Sequence, residues 1–182
     1  MDIHVQSYIS SISFKEEYWD QYPNHYYSIT EADELHAFVD WEDPFFRGVI
    51  EITCNGVVIL DSFHEDRLFD CWSKILWLIN EVLEAGGGTF TAPDQGFKLG
   101  MKVHSGKMIE LINYGGIDRD GKTPIPPTRV FVPASELLPA LLEGARKCLR
   151  IGEKHLPDYF AQGLRWIDEL ERMVNAWLKT SD

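Results

Sequence analysis

The sequence predicts an α+β fold: a mainly antiparallel sheet of about six to seven strands, packed by one long central helix, with two C-terminal helices. Three observations carry this. Strand-like apolar runs lie on both sides of a single long stripe of helical period, an Asn55-Gly56 pair joins two of those runs, and the chain closes on two further helical stripes.

Taken in order, Ile3 to Phe14 alternates in part, with Ile3, Val5, Ser7 and Ile9 on one side, and reads as a strand. Lys15 to Asp33 breaks that pattern with acids, tyrosines and a Pro23-Asn24 pair, and reads as an irregular segment. Leu35 to Trp41 and Phe46 to Cys54 read as strands separated by a Glu42-Asp43-Pro44 turn. Val57 to Leu60 forms a hairpin with the second of these, since Asn-Gly supplies the two positive φ angles of a type I′ turn. Ser62 and Glu65 have capping-box spacing, which predicts a helix from there to Gly86 along Leu68, Phe69, Trp72, Ile75, Leu76, Ile79, Val82 and Leu83. Gly86 is placed to stop it.

Thr89 to Thr91, Phe97 to His104, Lys107 to Tyr114 and Arg129 to Val132 read as later strands, the middle two turning at Ser105-Gly106. Ser135 is expected to cap a helix running to about Gly152, and Pro157 to start the last one, with Phe160, Leu164, Ile167, Leu170, Val174 and Trp177 on one face. The 182 residues are expected to form one domain: an acidic β-rich part (1–61), a helix (62–86), a second β-rich part (89–132) and C-terminal helices (135–180).

Composition narrows the function classes. No apolar run reaches the roughly 18–20 residues of a membrane span, and the N-terminal residues lack the basic and apolar regions of a secretory signal. Cys54, Cys71 and Cys148 are scattered and odd in number, so they are expected to be buried free thiols, which with the missing signal points to the cytoplasm. The net charge is −12, and it belongs wholly to one end. Residues 1–70 hold 15 acids against Lys15, Arg47 and Arg67, whereas residues 71–182 hold 14 acids and 14 bases. Such a field repels nucleic acid and anionic membranes and attracts a basic protein.

Motifs for chemistry are sparse. His64, Glu65 and Asp66 form a polar run, but neighbours in sequence do not face one another on a helix, and acids in a first turn favour its dipole. The remaining histidines show no ligand spacing, so no metal and no cofactor is expected. Gly86-Gly87-Gly88 follows a helix instead of preceding one, so it is not a phosphate loop. A hydrolase assembled from carboxylates and His36 or His64 stays open as an alternative, as does a secretion chaperone holding a client protein.

The clearest functional signal is residues 15–46, where nine acids interleave with Tyr18, Trp19, Tyr22, Tyr26, Tyr27, Trp41, Phe45 and Phe46. Aromatic anchors supply contact energy, and charge of one sign steers and selects the partner. The partner-binding candidates are therefore Glu16, Glu17, Tyr18, Trp19, Asp20, Tyr22, Tyr26, Glu31, Asp33, Glu34, Glu42 and Asp43. The stretch Trp72 to Leu83, followed by Gly86, Phe90, Thr91, Ala92, Pro93 and Asp94, resembles a helix-to-strand junction in bacterial immunity proteins of polymorphic and contact-dependent toxin systems. That resemblance implies a non-enzymatic inhibitor, monomeric when free, that binds a basic toxin domain and occludes its active site or substrate groove.

Overall fold

A computed structural model describes residues 2–15, 18, 26–34, 37, 39–40, 46–94, 96–117, 122 and 124–180. The first sheet follows the order β2 (Tyr26–Ser28), β1 (Ile3–Ser10), β3 (Arg47–Cys54), β4 (Val57–Leu60), and the two-residue β5 (Asp66–Arg67) also pairs with β3. All its pairings are antiparallel. The β3–β4 turn has φ of +52° at Asn55 and +77° at Gly56, the two left-handed residues its sequence demands.

Next comes α2 (Leu68–Ala85), and Gly86 ends it in the left-handed conformation, its N–H returning to the carbonyls of Glu81 and Val82. The chain turns at once into a second antiparallel sheet of order β11 (Thr128–Pro133), β8 (Met108–Asn113), β7 (Lys98–His104), β6 (Gly87–Thr91). A small hairpin, β9 (Gly116–Ile117) with β10 (Pro124–Ile125), precedes β11. Helices α3 (Ala134–His155) and α4 (Pro157–Lys179) complete the chain, and Arg146 of α3 clamps Asp168 and Glu171 of α4, each at 2.9 Å.

One apolar core unites these elements. It runs from Ile9 and Ile52 of the first sheet, through Trp72, Ile75 and Ile79 of α2, to Leu99 and Leu111 of the second sheet and Leu138 and Ile167 of the last helices. The approach of α3 to β1 and α2 is built on a glycine. A Cβ at Gly144 of α3 would lie 2.6 Å from Val5 Cγ1 and 3.0 Å from Trp72 Cη2, so no larger residue lets α3 approach β1 and α2 this closely. The buried Trp72 indole donates to Ser7 Oγ at 2.9 Å, tying α2 to β1.

Several expectations need correction. The strands divide between two main sheets and a hairpin, eleven in all among the described residues, instead of forming one sheet of six or seven. The irregular segment contains β2 and a short helix, α1 (Ile29–Glu34). Capping-box spacing occurs at Ser28 as well as Ser62, and the structure uses the former. Ser28 N–H donates to Glu31 Oε2 at 2.8 Å, and Glu31 N–H to Ser28 Oγ at 3.3 Å. At Ser62 the chain makes only one 3₁₀ turn (Ser62–His64), and α2 begins at Leu68, because Glu65 is bound to Arg47 and Asp66–Arg67 pair with β3. Ser135 lies inside α3 and not at its cap, which is Pro133. Of the expected strand Leu35 to Trp41, Val39 bridges Phe14, while 35, 36, 38 and 41 lie outside the described residues.

Candidate functional site

The densest concentration of polar chemistry lies where β4 hands over to α2. Because β5 adds to β3, the run His64-Glu65-Asp66 is drawn beneath the loop after β6 and buried, all three residues being 6 % exposed or less. Burial of charge on that scale is tolerated only with full hydrogen bonding.

Each member has partners. Glu65 accepts Arg47 Nε at 3.0 Å on one oxygen and the Tyr26 hydroxyl at 2.5 Å on the other. Asp66 accepts two backbone amides, Arg67 N–H at 2.7 Å and Asp94 N–H at 3.0 Å, which ties the start of α2 to the loop between β6 and β7. Above them Asp94 receives Arg47 Nη1 at 2.9 Å and Arg67 Nη2 at 3.0 Å, and Arg67 also meets Asp70 at 3.5 Å. The hydrogen bond from Arg67, together with both guanidinium charges, holds the Asp94 carboxyl below the ordinary carboxylate range against its partial desolvation.

His64 sits on the opposite side of the same turn. Asn113 Oδ1 accepts Gly115 N–H at 2.9 Å and its Nδ2 donates to Ile59 O at 2.8 Å, which fixes the amide orientation. The remaining Nδ2 hydrogen points at His64 Nε2, 2.7 Å away, so Nε2 accepts. Nδ1 lies 2.9 Å from Asp61 Oδ1 and 3.2 Å from the Asp61 backbone N–H; with Nε2 accepting, Nδ1 is assigned the proton and donates to the nearer carboxylate, and the ring packs edge-on against Phe97 at 5.2 Å. A general base needs a lone pair open to substrate. The Nε2 lone pair of His64 is directed instead into a bond that joins the turn after β4 to Asn113 of β8.

The structure distributes the partner-binding candidates unevenly. Tyr26 is half-buried with its hydroxyl turned to Glu65, Tyr18 is half-buried, and Glu31 is exposed at the head of α1. Asp33 and Glu34 lie on the backbone of α1. Glu16, Glu17, Trp19, Asp20, Tyr22, Glu42 and Asp43 lie outside the described residues. The neighbouring Tyr27 stacks on Phe14 with ring centroids 5.2 Å apart and packs against the core.

Two clefts stand apart from this cluster. One of about 300 Å³ opens between α2, α3 and α4 and is lined by Phe69, Leu149, Tyr159 and Trp166 among others; the other, about 390 Å³, lies along Gly86–Thr89 and the outer side of β7 and β8. Among the described residues neither is lined by a carboxylate or a histidine. Among the described residues no group of three or more His, Cys, Asp or Glu is arranged to hold a metal ion. All three cysteines are free and buried, and desolvation pushes the thiol of Cys54 up to about 11 and that of Cys148 to about 12, out of reach of nucleophilic use. No described helix is long and apolar enough to cross a membrane.

Sequence reasoning found the His64-Glu65-Asp66 run but placed it on a helix face, and missed Arg47, Asp94 and Asn113 as its partners. Those pairings span 18, 28 and 49 residues, and no local pattern announces them. The alternating Lys98, Gly100, Lys102, His104 on β7 was a readable signal of one polar sheet face. No protein-family model, curated protein or solved structure matches the chain.

Proposed function

We propose that this chain is an inhibitor of the immunity type, which neutralises a cationic protein by binding it with the acidic, aromatic segment of residues 15–46. One observation supports this reading above the others: the bases of the acidic third are each engaged by a partner in the fold. Arg47 is bound to Glu65 and Asp94, and Arg67 to Asp94 and Asp70, while Lys15 donates to the Ala37 carbonyl at 3.1 Å. Of the 15 acids in residues 1–70, only Glu65 and Asp66 are buried among the described residues. With three bases against 15 acids, the first 70 residues carry a net negative charge, and such a field accelerates a basic protein toward them.

The hydrolase alternative draws no support from His64, whose ring nitrogens both serve structural bonds.

The test is co-expression with a toxin domain encoded immediately upstream. A one-to-one complex that restores growth is expected, with an association rate that falls steeply as salt is raised past the ~10 Å Debye length of 0.1 M. Replacing Glu16, Glu17 and Asp20 with Lys slows association. Salt-independent association, or unchanged kinetics in the triple variant, refutes the use of this segment.

A further inference from the structure

The second sheet has one face in the core and one face outward, and the two differ sharply in chemistry. Leu99, Met101, Ile109, Leu111 and Val132 point inward and are 2 % exposed or less. The alternate positions carry Lys98 and Lys102 on β7, Glu110 and Ile112 on β8, and Arg129 and Phe131 on β11. Register sets Lys102 beside Glu110 and Glu110 beside Phe131; one step along, Gly100, Ile112 and Arg129 form the next row. Tyr114 lies across Gly100, where a Cβ would meet its ring at 2.9 Å, and the Lys98 ammonium sits over that ring 4.9 Å from the centroid.

Tyr114 and Phe131 are 45 % and 49 % exposed, unusual for large rings on an otherwise satisfied surface. The charge of the face is the opposite of the chain's. Glu110 is the one carboxylate at the outward strand positions, and it is 8 % exposed, held by His104 Nε2 at 3.0 Å and Arg129 at 3.6 Å. Lys98 and Lys102 form no ion pair with any described residue and are exposed, as is Arg129. A protein of net charge −12 thus presents a cationic, ring-bearing sheet face.

We propose that this face docks an acidic segment of a partner protein, with Lys98, Lys102 and Arg129 meeting its carboxylates and Tyr114, Ile112 and Phe131 its apolar side chains. The proposal stands apart from the inhibitor reading, which uses other residues of opposite sign. Charge complementarity selects the occupant. A second copy docking face to face would oppose like charges. Single-stranded nucleic acid binds such sheets by stacking bases on open ring faces, but here the Lys98 ammonium already lies over the Tyr114 ring, whose edge abuts Gly100. Phe131 is engaged edge-on by His104 at 5.3 Å.

The experiment is a titration of the ¹⁵N-labelled full chain with deca-glutamate, with ten-nucleotide oligo-dT and deca-lysine alongside. Deca-glutamate is expected to shift amides of β7, β8 and β11 together, and Lys98→Glu/Lys102→Glu/Arg129→Glu to weaken it by about tenfold or more. The control Arg150→Glu/Lys154→Glu on α3 is expected to leave it unchanged, and unfolding curves verify that each variant is folded. Should the triple reversal fail to fold, Lys98→Gln/Lys102→Gln reads the same loss at smaller size. The proposal is overturned by shifts scattered over the surface, by equal weakening in the control, by tighter binding of oligo-dT than of deca-glutamate, or by self-association through the same amides.

Discussion

Replacing Asp66 with Ala tests whether the buried polar run is the tether that orients α2. Its carboxylate holds Arg67 N–H at 2.7 Å and Asp94 N–H at 3.0 Å, and it is 1 % exposed. A hydrogen bond to a charged acceptor is worth about 1.5–3 kcal/mol when the donor is left unsatisfied. Asp94 is partly exposed, so water replaces some of what its amide loses, and the expected total is about 3 kcal/mol. For a chain of this size that lowers Tm by roughly 6–12 °C. Asp66→Asn keeps the oxygen facing Arg67 but turns an NH2 group toward the Asp94 amide, so it is expected to cost about half as much. Urea unfolding gives the energies, and amide exchange at Asp94 gives the location, since protection there is expected to fall in the Ala variant before global unfolding. If both variants stay within about 0.5 kcal/mol of the parent, the carboxylate is no tether and the reasoning fails.

Four further outcomes are expected. Gly144→Ala forces a Cβ to within 2.6 Å of Val5 and 3.0 Å of Trp72, so it destabilises by about 1–3 kcal/mol, read as a lower urea midpoint at unchanged m. The Asp94 carboxyl titrates below its ordinary value chiefly through the Arg67 hydrogen bond, so its contribution to stability is complete above the ordinary carboxylate range and is lost as pH falls through the lowered value. Arg67→Gln accordingly flattens the acid limb of a stability-versus-pH curve, and an unchanged limb counts against the assignment. Native Cys54, Cys71 and Cys148 resist a thiol-specific chromogenic reagent and react together on unfolding; a fast thiol in the native state contradicts their burial. The ¹⁵N spectrum of His64 shows the Nδ1–H tautomer at neutral pH, and Asn113→Ala removes that preference.

What could be read in advance divides by range of interaction. The Asn55-Gly56 hairpin, the Gly86 stop and the start of α4 at Pro157 are each decided within a few residues, and each stands where local chemistry puts it. The start of α2 was misplaced for the complementary reason. Ser62 and Glu65 satisfy a local rule, but Glu65 is 4 % exposed and bound by Arg47 and Tyr26, 18 and 39 residues away, and a carboxylate once buried must keep such partners, whereas a cap worth about 1 kcal/mol can be forgone. The division into two sheets was hidden similarly. The longer strands announce their own alternation, but β2, β5, β9 and β10 are too short to do so, and nothing in β4 tells it to end the first sheet and contact β8 and β11.

The same long-range pairings decide how charge is presented. Arg47 and Arg67, the arginines of the acidic third, are engaged by Glu65, Asp94 and Asp70. Had Glu110 stood free on the second sheet, it would have cancelled a lysine; held by His104 and Arg129, it leaves Lys98 and Lys102 to set the sign of that face. In both places a partly exposed ion-pair network acts less as a source of stability, which such pairs supply poorly, than as a device that sorts charge. On the two proposals, these surfaces meet partners through charge, and charge reversal is expected to alter binding without unfolding the chain. Mutations at the exposed lysines therefore move binding and leave Tm nearly still, whereas mutations at Arg47 or Glu65 move Tm first.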